Sequence, residues 1–247
     1  MNRIPIWDLP TRLFHWLFAG GFAGAAVIAL VLGEHSTLFP YHSIIGLTLG
    51  LMVALRVVWG LVGTRYARFS SFAYGPGALI AYIKGVLFGG DKRHVGHNPG
   101  SAYGVFAMLA LVAALAVTGV MLALGNKGVK EIHELLTWVM VGFVGVHVLG
   151  VATHTILRRE NITASMIHGW KDVEASKGIA SSMPIVALVF LAITGAWATG
   201  LVSGFDPVTQ SVTVPVLGTK LQIGEVEGEP NGGLRSKDSG KFEDDDD

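Results

Sequence analysis

Two histidines, His133 and His147, stand fourteen residues apart on one apolar segment, a spacing that in an α-helix is close to four turns and about 21 Å of rise. They therefore share one helix face at two depths of a hydrocarbon layer about 30 Å thick. His15 and His42 stand near the starts of two other apolar segments, so four imidazoles can close two sites stacked across a membrane. Neutral imidazole is a good axial ligand for haem iron, and two per iron leave no open position, which favours electron transfer over oxygen binding. A pair of bis-histidine haems needs this arrangement.

The elements that must position these rings follow from composition. The 247 residues are 51% hydrophobic and 15% charged, with a mean hydropathy of +0.53, and the apolar residues gather in long runs. That is the pattern of a polytopic membrane protein. Five spans are expected, at Leu13–Leu32, Ile44–Val62, Ala102–Leu124, Leu135–Leu157 and Pro184–Val202. The first contains His15 and lacks a small-residue cleavage motif, so it reads as a retained helix. The chain has no cysteine, which excludes disulfides, thiolate metal sites, iron–sulfur ligation and thioether attachment of c-type haem.

Charge sets the orientation. Of eighteen Lys and Arg, eleven fall before the first span, between the second and third, or between the fourth and fifth. The positive-inside rule then places the amino terminus in the cytoplasm and the tail beyond Val202 outside. With that topology His15 and His147 lie toward the cytoplasmic side, and His42 and His133 toward the outer side. Depth alone pairs His15 with His147 and His42 with His133.

Other polar residues fall near these levels. Arg56 is fourteen residues after His42, so it faces the same direction about 21 Å deeper. No carboxylate lies within a span at that depth, so either a haem propionate satisfies it or the side chain snorkels to the interface near Trp59. His154 follows His147 by seven residues and is an alternative ligand, but it would stretch the spacing from His133 to about 31 Å. His97, Asn98 and His154 are candidates for a quinone or propionate contact on the cytoplasmic side. Asn98 with Pro99 also suits a helix cap. Gly46, Gly142, Gly145 and Gly150 leave room for a flat group against a helix. Ala78–Phe88 is a short apolar piece suited to the membrane surface. Thr209–Ile223 reads as a weak hairpin, and the run after Gly224, ending in four Asp, reads as disordered.

The strings IWDLPTRLFHW, YHSIIGL with LRVVWG, GHNPGS, and EIHELLTWVMVGFVGVH resemble the prokaryotic cytochrome b-561 family, which includes cytochrome b subunits of nickel–iron hydrogenases. The likeness runs from residue 4 to about 170. It implies a four-helix core with two b-type haems that exchanges electrons with membrane quinone or a redox partner, and it carries the ligand role onto His15, His42, His133 and His147. The expected fold is an all-α integral membrane protein: a four-helix transmembrane haem-binding bundle at 1–178, a fifth transmembrane helix at 179–203, and a polar periplasmic tail at 204–247.

The function expected is that of a multi-pass inner-membrane di-haem b-type cytochrome, relaying electrons between the quinone pool and a periplasmic redox protein such as cytochrome c or a hydrogenase-like enzyme. It would act within the membrane lipid as a homodimer or a complex subunit, with no nucleic-acid partner. One alternative is a superoxide:quinone oxidoreductase, with Lys127 and Lys130 drawing the anion. Another is a histidine-lined metal or proton transporter, although such sites usually gather carboxylates near the midplane.

Overall fold

The computed structural model describes residues 2–90, 94–173 and 177–224. The terminal acidic run, expected to be disordered, lies outside them.

Five helices are long and apolar enough to cross a membrane. They are α1 (Leu9–Val27, continuing as a π-turn over Ile28–Leu32), α2 (Phe39–Val62), α4 (Pro99–Ala123), α5 (Lys130–Arg158) and α7 (Pro184–Ser203). Two shorter helices, α3 (Pro76–Phe88) and α6 (Ile162–His168), lie between them. Four of the long helices begin three to five residues before the expected spans. Their first turns are polar or carry proline: Asp8 and Asn98 cap α1 and α4 by accepting from Thr11 N and Ser101 N, and prolines occupy the first turns of α1, α2 and α4. Such residues start helices but do not register as hydrocarbon.

The helices pack in a chain, α1 on α2, α2 on α4 and α4 on α5, while α7 lies against α1 and α2. Small residues set the approach. A Cβ on Gly21 would stand 3.0 Å from Leu49, and one on Gly50 would stand 3.1 Å from Ala116, the close contact on which helix association in lipid relies. The mid-bundle core is Leu49, Met52, Val53, Val112 and Met140, flanked by Phe14, Phe18 and Phe22.

Each end of the bundle carries a small sheet. At one, the strap end, β1 (Asn2–Pro5) pairs antiparallel with β2 (Trp170–Val173), with Ile4 opposite Lys171. Ile6 and Trp7 N–H both donate to the Gly169 carbonyl. Nothing in the sequence announced this pairing. At the other, the sheet end, the expected hairpin is present as β4 (Ser211–Thr213) and β5 (Lys220–Gln222), and β3 (Phe205–Asp206) joins it to make a three-stranded sheet. Its Val212, Val214, Leu221 and Ile223 pack on Ile44 of α2 and Leu201 of α7. The apolar alternation is therefore directed at helices, which gives so short a sheet a core to stand on.

Asp8 is the hub of the strap end. It is 1% exposed, caps α1, and accepts from Trp59 Nε1 at 3.1 Å and from the Thr64 hydroxyl. One carboxylate thus joins the start of α1 to the end of α2. Asp8→Ala leaves those buried donors unpaired and removes the cap, an expected loss of about 2–4 kcal/mol. A clear fall in the thermal unfolding midpoint in detergent is the expected result, and an unchanged midpoint would remove Asp8 from this role.

Candidate functional site

The antiparallel run of α1, α2, α4 and α5 brings four histidines into two facing pairs. The rings of His15 and His147 have centroids 6.3 Å apart, and those of His42 and His133 are also 6.3 Å apart. Rings at this separation do not stack. An imidazole nitrogen binds a transition metal at about 2 Å and the ring centre lies about 1 Å behind it, so two rings facing one ion from opposite sides have centres roughly 6 Å apart. Among the described residues no group of three or more His, Cys, Asp or Glu gathers that could hold a metal ion. Neither pair of imidazoles is joined by a third such side chain at ligating distance.

The sheet-end pair is already oriented. His42 Nδ1 lies 2.9 Å from the Ala25 carbonyl, and because a carbonyl only accepts, Nδ1 carries the proton and Nε2 keeps its lone pair. Ala25 sits one turn before α1 widens into its π-turn, where the Ile28 N–H divides between the Ala25 and Gly24 carbonyls. His133 Nδ1 lies 2.8 Å from Thr118 Oγ1, whose own hydrogen goes to the Ala114 carbonyl at 2.9 Å. Thr118 must then accept from Nδ1, which again leaves Nε2 free. An outer partner that fixes the tautomer in this way is the usual support of a metal-binding histidine. At the strap end, His15 Nδ1 is sealed from solvent without a protein partner.

Between the two levels the bundle is apolar. His133, Met140 and His147 recur every seven residues on α5, as do His42, Leu49 and Arg56 on α2, and the intervening Met140 and Leu49 belong to the apolar core. Beside the rings, a Cβ on Gly46, Gly142, Gly145 or Gly150 would meet nothing within 4 Å. A flat group has room against those helices.

Arg56 does not snorkel. It is 4% exposed, donates from Nη2 to the Ala67 carbonyl at 3.1 Å and lies 5.0 Å over the Phe69 ring. Gly60 permits this cover, since a Cβ there would collide with Phe69. A carboxylate is present after all: Asp8, outside the apolar run and so passed over in the sequence, acts electrostatically on Arg56. Even so, Nη1 stays buried and unpartnered.

The remaining candidates separate. His97 sits against Trp7 and Phe72, with centroids at 4.8 and 4.3 Å, and its Nδ1 is buried without a partner. Burial, with Arg56 and Lys171 adding to it, pushes its pKa down to about 3, so the ring is neutral. The Asn98 carbonyl oxygen is taken by its capping bond to Ser101 N. His154 faces Glu160 at 3.4 Å rather than another histidine, and Glu160 also pairs with the largely buried Lys171 at 2.9 Å. Sequence reasoning missed Asp8, Thr118 and Lys171. Asp8 was legible, as an N-cap residue just ahead of Leu-Pro; Thr118 and Lys171 meet their partners only through tertiary packing.

Comparison with known proteins adds a family. The profile of the prokaryotic cytochrome b561 family matches residues 6–169. A Rhizobium leguminosarum bv. viciae protein named probable Ni/Fe-hydrogenase B-type cytochrome subunit is 27% identical over 214 residues, covering 68% of this chain and 88% of its own length. The similarly named protein of Bradyrhizobium diazoefficiens is 26% identical, over 66% and 84% of the two chains. The probable Ni/Fe-hydrogenase 1 B-type cytochrome subunit of Escherichia coli K12 is 22% identical, over 70% and 92%. No solved structure gives a significant match.

The Glu160 cluster carries a pH signature. Burial opposes its charge, but the hydrogen bond and charge of Lys171, with His154 behind them, hold its pKa below the ordinary carboxylate value. The unfolded chain therefore takes up this proton first as pH falls, and the stability present above about pH 4.3 is lost through the folded pKa below it. Acid titration of the unfolding midpoint should show a shallower decline for Glu160→Gln than for the parent chain.

Proposed function

The chain belongs to the prokaryotic cytochrome b561 family, an integral membrane b-type cytochrome, and from that premise we propose that it holds two haems b, one between His15 and His147 and one between His42 and His133. The observation that carries this is the repeated 6.3 Å separation of facing imidazoles at two levels. The surrounding residues fit the group. Nε2 of His42 and His133 is free to bind, the glycines leave open space, and Arg56 Nη1 is an unpartnered donor suited to a propionate carboxylate. Bound haem supplies one-electron exchange at each level.

The chain's own residues set the rest of the reading. Closed histidine pairs leave no position for oxygen, and the apolar layer at Leu49 and Met140 keeps water and ions from passing between the levels. That layer argues against the transporter. Lys130 is ion-paired with Glu34 at 2.9 Å, which weakens the superoxide reading. In this proposal the strap end, with most of the basic residues, faces the cytoplasm and the sheet end faces the periplasm. Electrons pass between membrane quinone and a periplasmic redox protein, for which the hydrogenase subunits among its relatives point to a hydrogenase-like enzyme as partner. His97, with its free Nδ1 near an apolar surround, is the best placed of the quinone candidates, because Asn98 and His154 already have partners.

Pyridine haemochrome quantitation with a reduced-minus-oxidised spectrum tests the core of the proposal. Two b haems per chain are expected, with one lost in His42→Ala and the other in His147→Ala; a single haem, or none, in the intact protein would overturn it. Thr118→Val should weaken haem retention at the His42–His133 level by about 10-fold and leave the other level unchanged, read as biphasic transfer to a haem scavenger.

A further inference from the structure

The sheet end has two turns of opposite character. The β3–β4 turn is polar. Asp206 accepts from Val208 N at 2.9 Å and from the Thr209 hydroxyl at 2.8 Å, and Gln210 Nε2 donates to the Pro207 carbonyl. The β4–β5 turn, Pro215-Val216-Leu217-Gly218, has no polar side chain. Its backbone closes on itself, with Val214 N donating to Thr219 O, Gly218 N to Val214 O and Leu217 N to Pro215 O at 2.8–3.0 Å. A turn that bonds its own amides and carbonyls does not need water for them.

The two turns also lie at different depths. Thr213 N donates to the Gly204 carbonyl just past the end of α7, and two residues later Pro215 sits against Gly200, where a Cβ would come within 2.8 Å of its Cγ. From Gly204 back to Gly200 is about 6 Å along the helix axis. After β3 leaves α7, the chain thus turns back and descends alongside the last turn of a spanning helix. There it presents Val216, 99% exposed, and Leu217, 71% exposed. Val216 has a φ of +68°, a conformation that strains a β-branched residue. Val202, on the adjoining turn of α7, is exposed as well.

We propose that the Pro215–Gly218 turn is an interfacial anchor whose Val216 and Leu217 enter the lipid leaflet beside the carboxyl end of α7, while the Pro207–Gln210 turn stands in water. The occupant is lipid because the turn lies at helix depth, bonds the amides of Leu217 and Gly218 within itself, exposes two apolar side chains and carries no charge. Exposed Lys220, just after it, suits the headgroup level. The anchor holds the sheet against α2 and α7 at a fixed tilt over the His42–His133 level.

The absence of native cysteine makes the test direct. Full-length Leu217→Cys, Val208→Cys and Leu188→Cys variants are spin-labelled and reconstituted into phosphatidylcholine vesicles. Power-saturation EPR then compares access by oxygen, which concentrates in lipid, with access by a water-soluble nickel chelate. Leu188, exposed on α7, gives the lipid reference, and Val208 gives the aqueous one. The oxygen-to-nickel ratio at Leu217 should exceed that at Val208 several-fold and approach that at Leu188. A Leu217 ratio equal to that of Val208 would overturn the anchor, and neither result depends on how many haems the chain holds.

Discussion

An imidazole inside hydrocarbon has to be spoken for, and here four of them face one another in two pairs with a gap between each ring and its opposite. Centroids 6.3 Å apart are too distant for stacking. The helices are arranged to keep those gaps open. Packing proceeds from α1 to α2 to α4 to α5, so α5 is held by α4 and turns its histidines back toward α1 and α2. Met140, midway between the histidine levels, joins the shared core, and Val144 packs against it. The core is a floor between two rooms.

The two levels are supported differently. At the sheet end the tautomers are fixed by a carbonyl and a threonine hydroxyl, both built from helix backbone or one turn of it. At the strap end the rings lie among groups whose needs the protein leaves open: His15 Nδ1, Arg56 Nη1 and His97 Nδ1 are all buried and unpartnered. A buried polar atom without a partner costs more than a hydrogen bond gains. Of the three, Arg56 Nη1 is a donor whatever the histidine tautomers, and it suits an anionic acceptor. Asp8 meets part of that demand, but its oxygens are already engaged by Thr11, Trp59 and Thr64.

Much of this was legible in the sequence, for physical reasons. Span length and charge bias fixed which helix ends share a side, and odd-even parity then put His15 beside His147 and His42 beside His133 without any tertiary knowledge. Helix starts were less legible, because caps and prolines are polar or neutral to a hydropathy reading. Asp8 was overlooked as a partner for Arg56 since it stands outside the apolar run, although the chain folds it to the same level. The β1–β2 pairing has four residues on each side and no periodicity to announce it. The third strand of the other sheet is only Phe205–Asp206. Thr118 meets His133 because α4 and α5 are antiparallel neighbours, and its register across that interface is a matter of packing.

The strap has a consequence in time. β1 is complete after five residues, but its partner β2 begins at Trp170, and Ile6 and Trp7 take their acceptor from Gly169. At typical rates of synthesis the first residues wait roughly ten to thirty seconds for the strand that holds them. Four spanning helices are made in that interval. β1, made before α1, is therefore held only once α5 is in place, and α7 and the sheet that follows it are added to a bundle already clasped at that end.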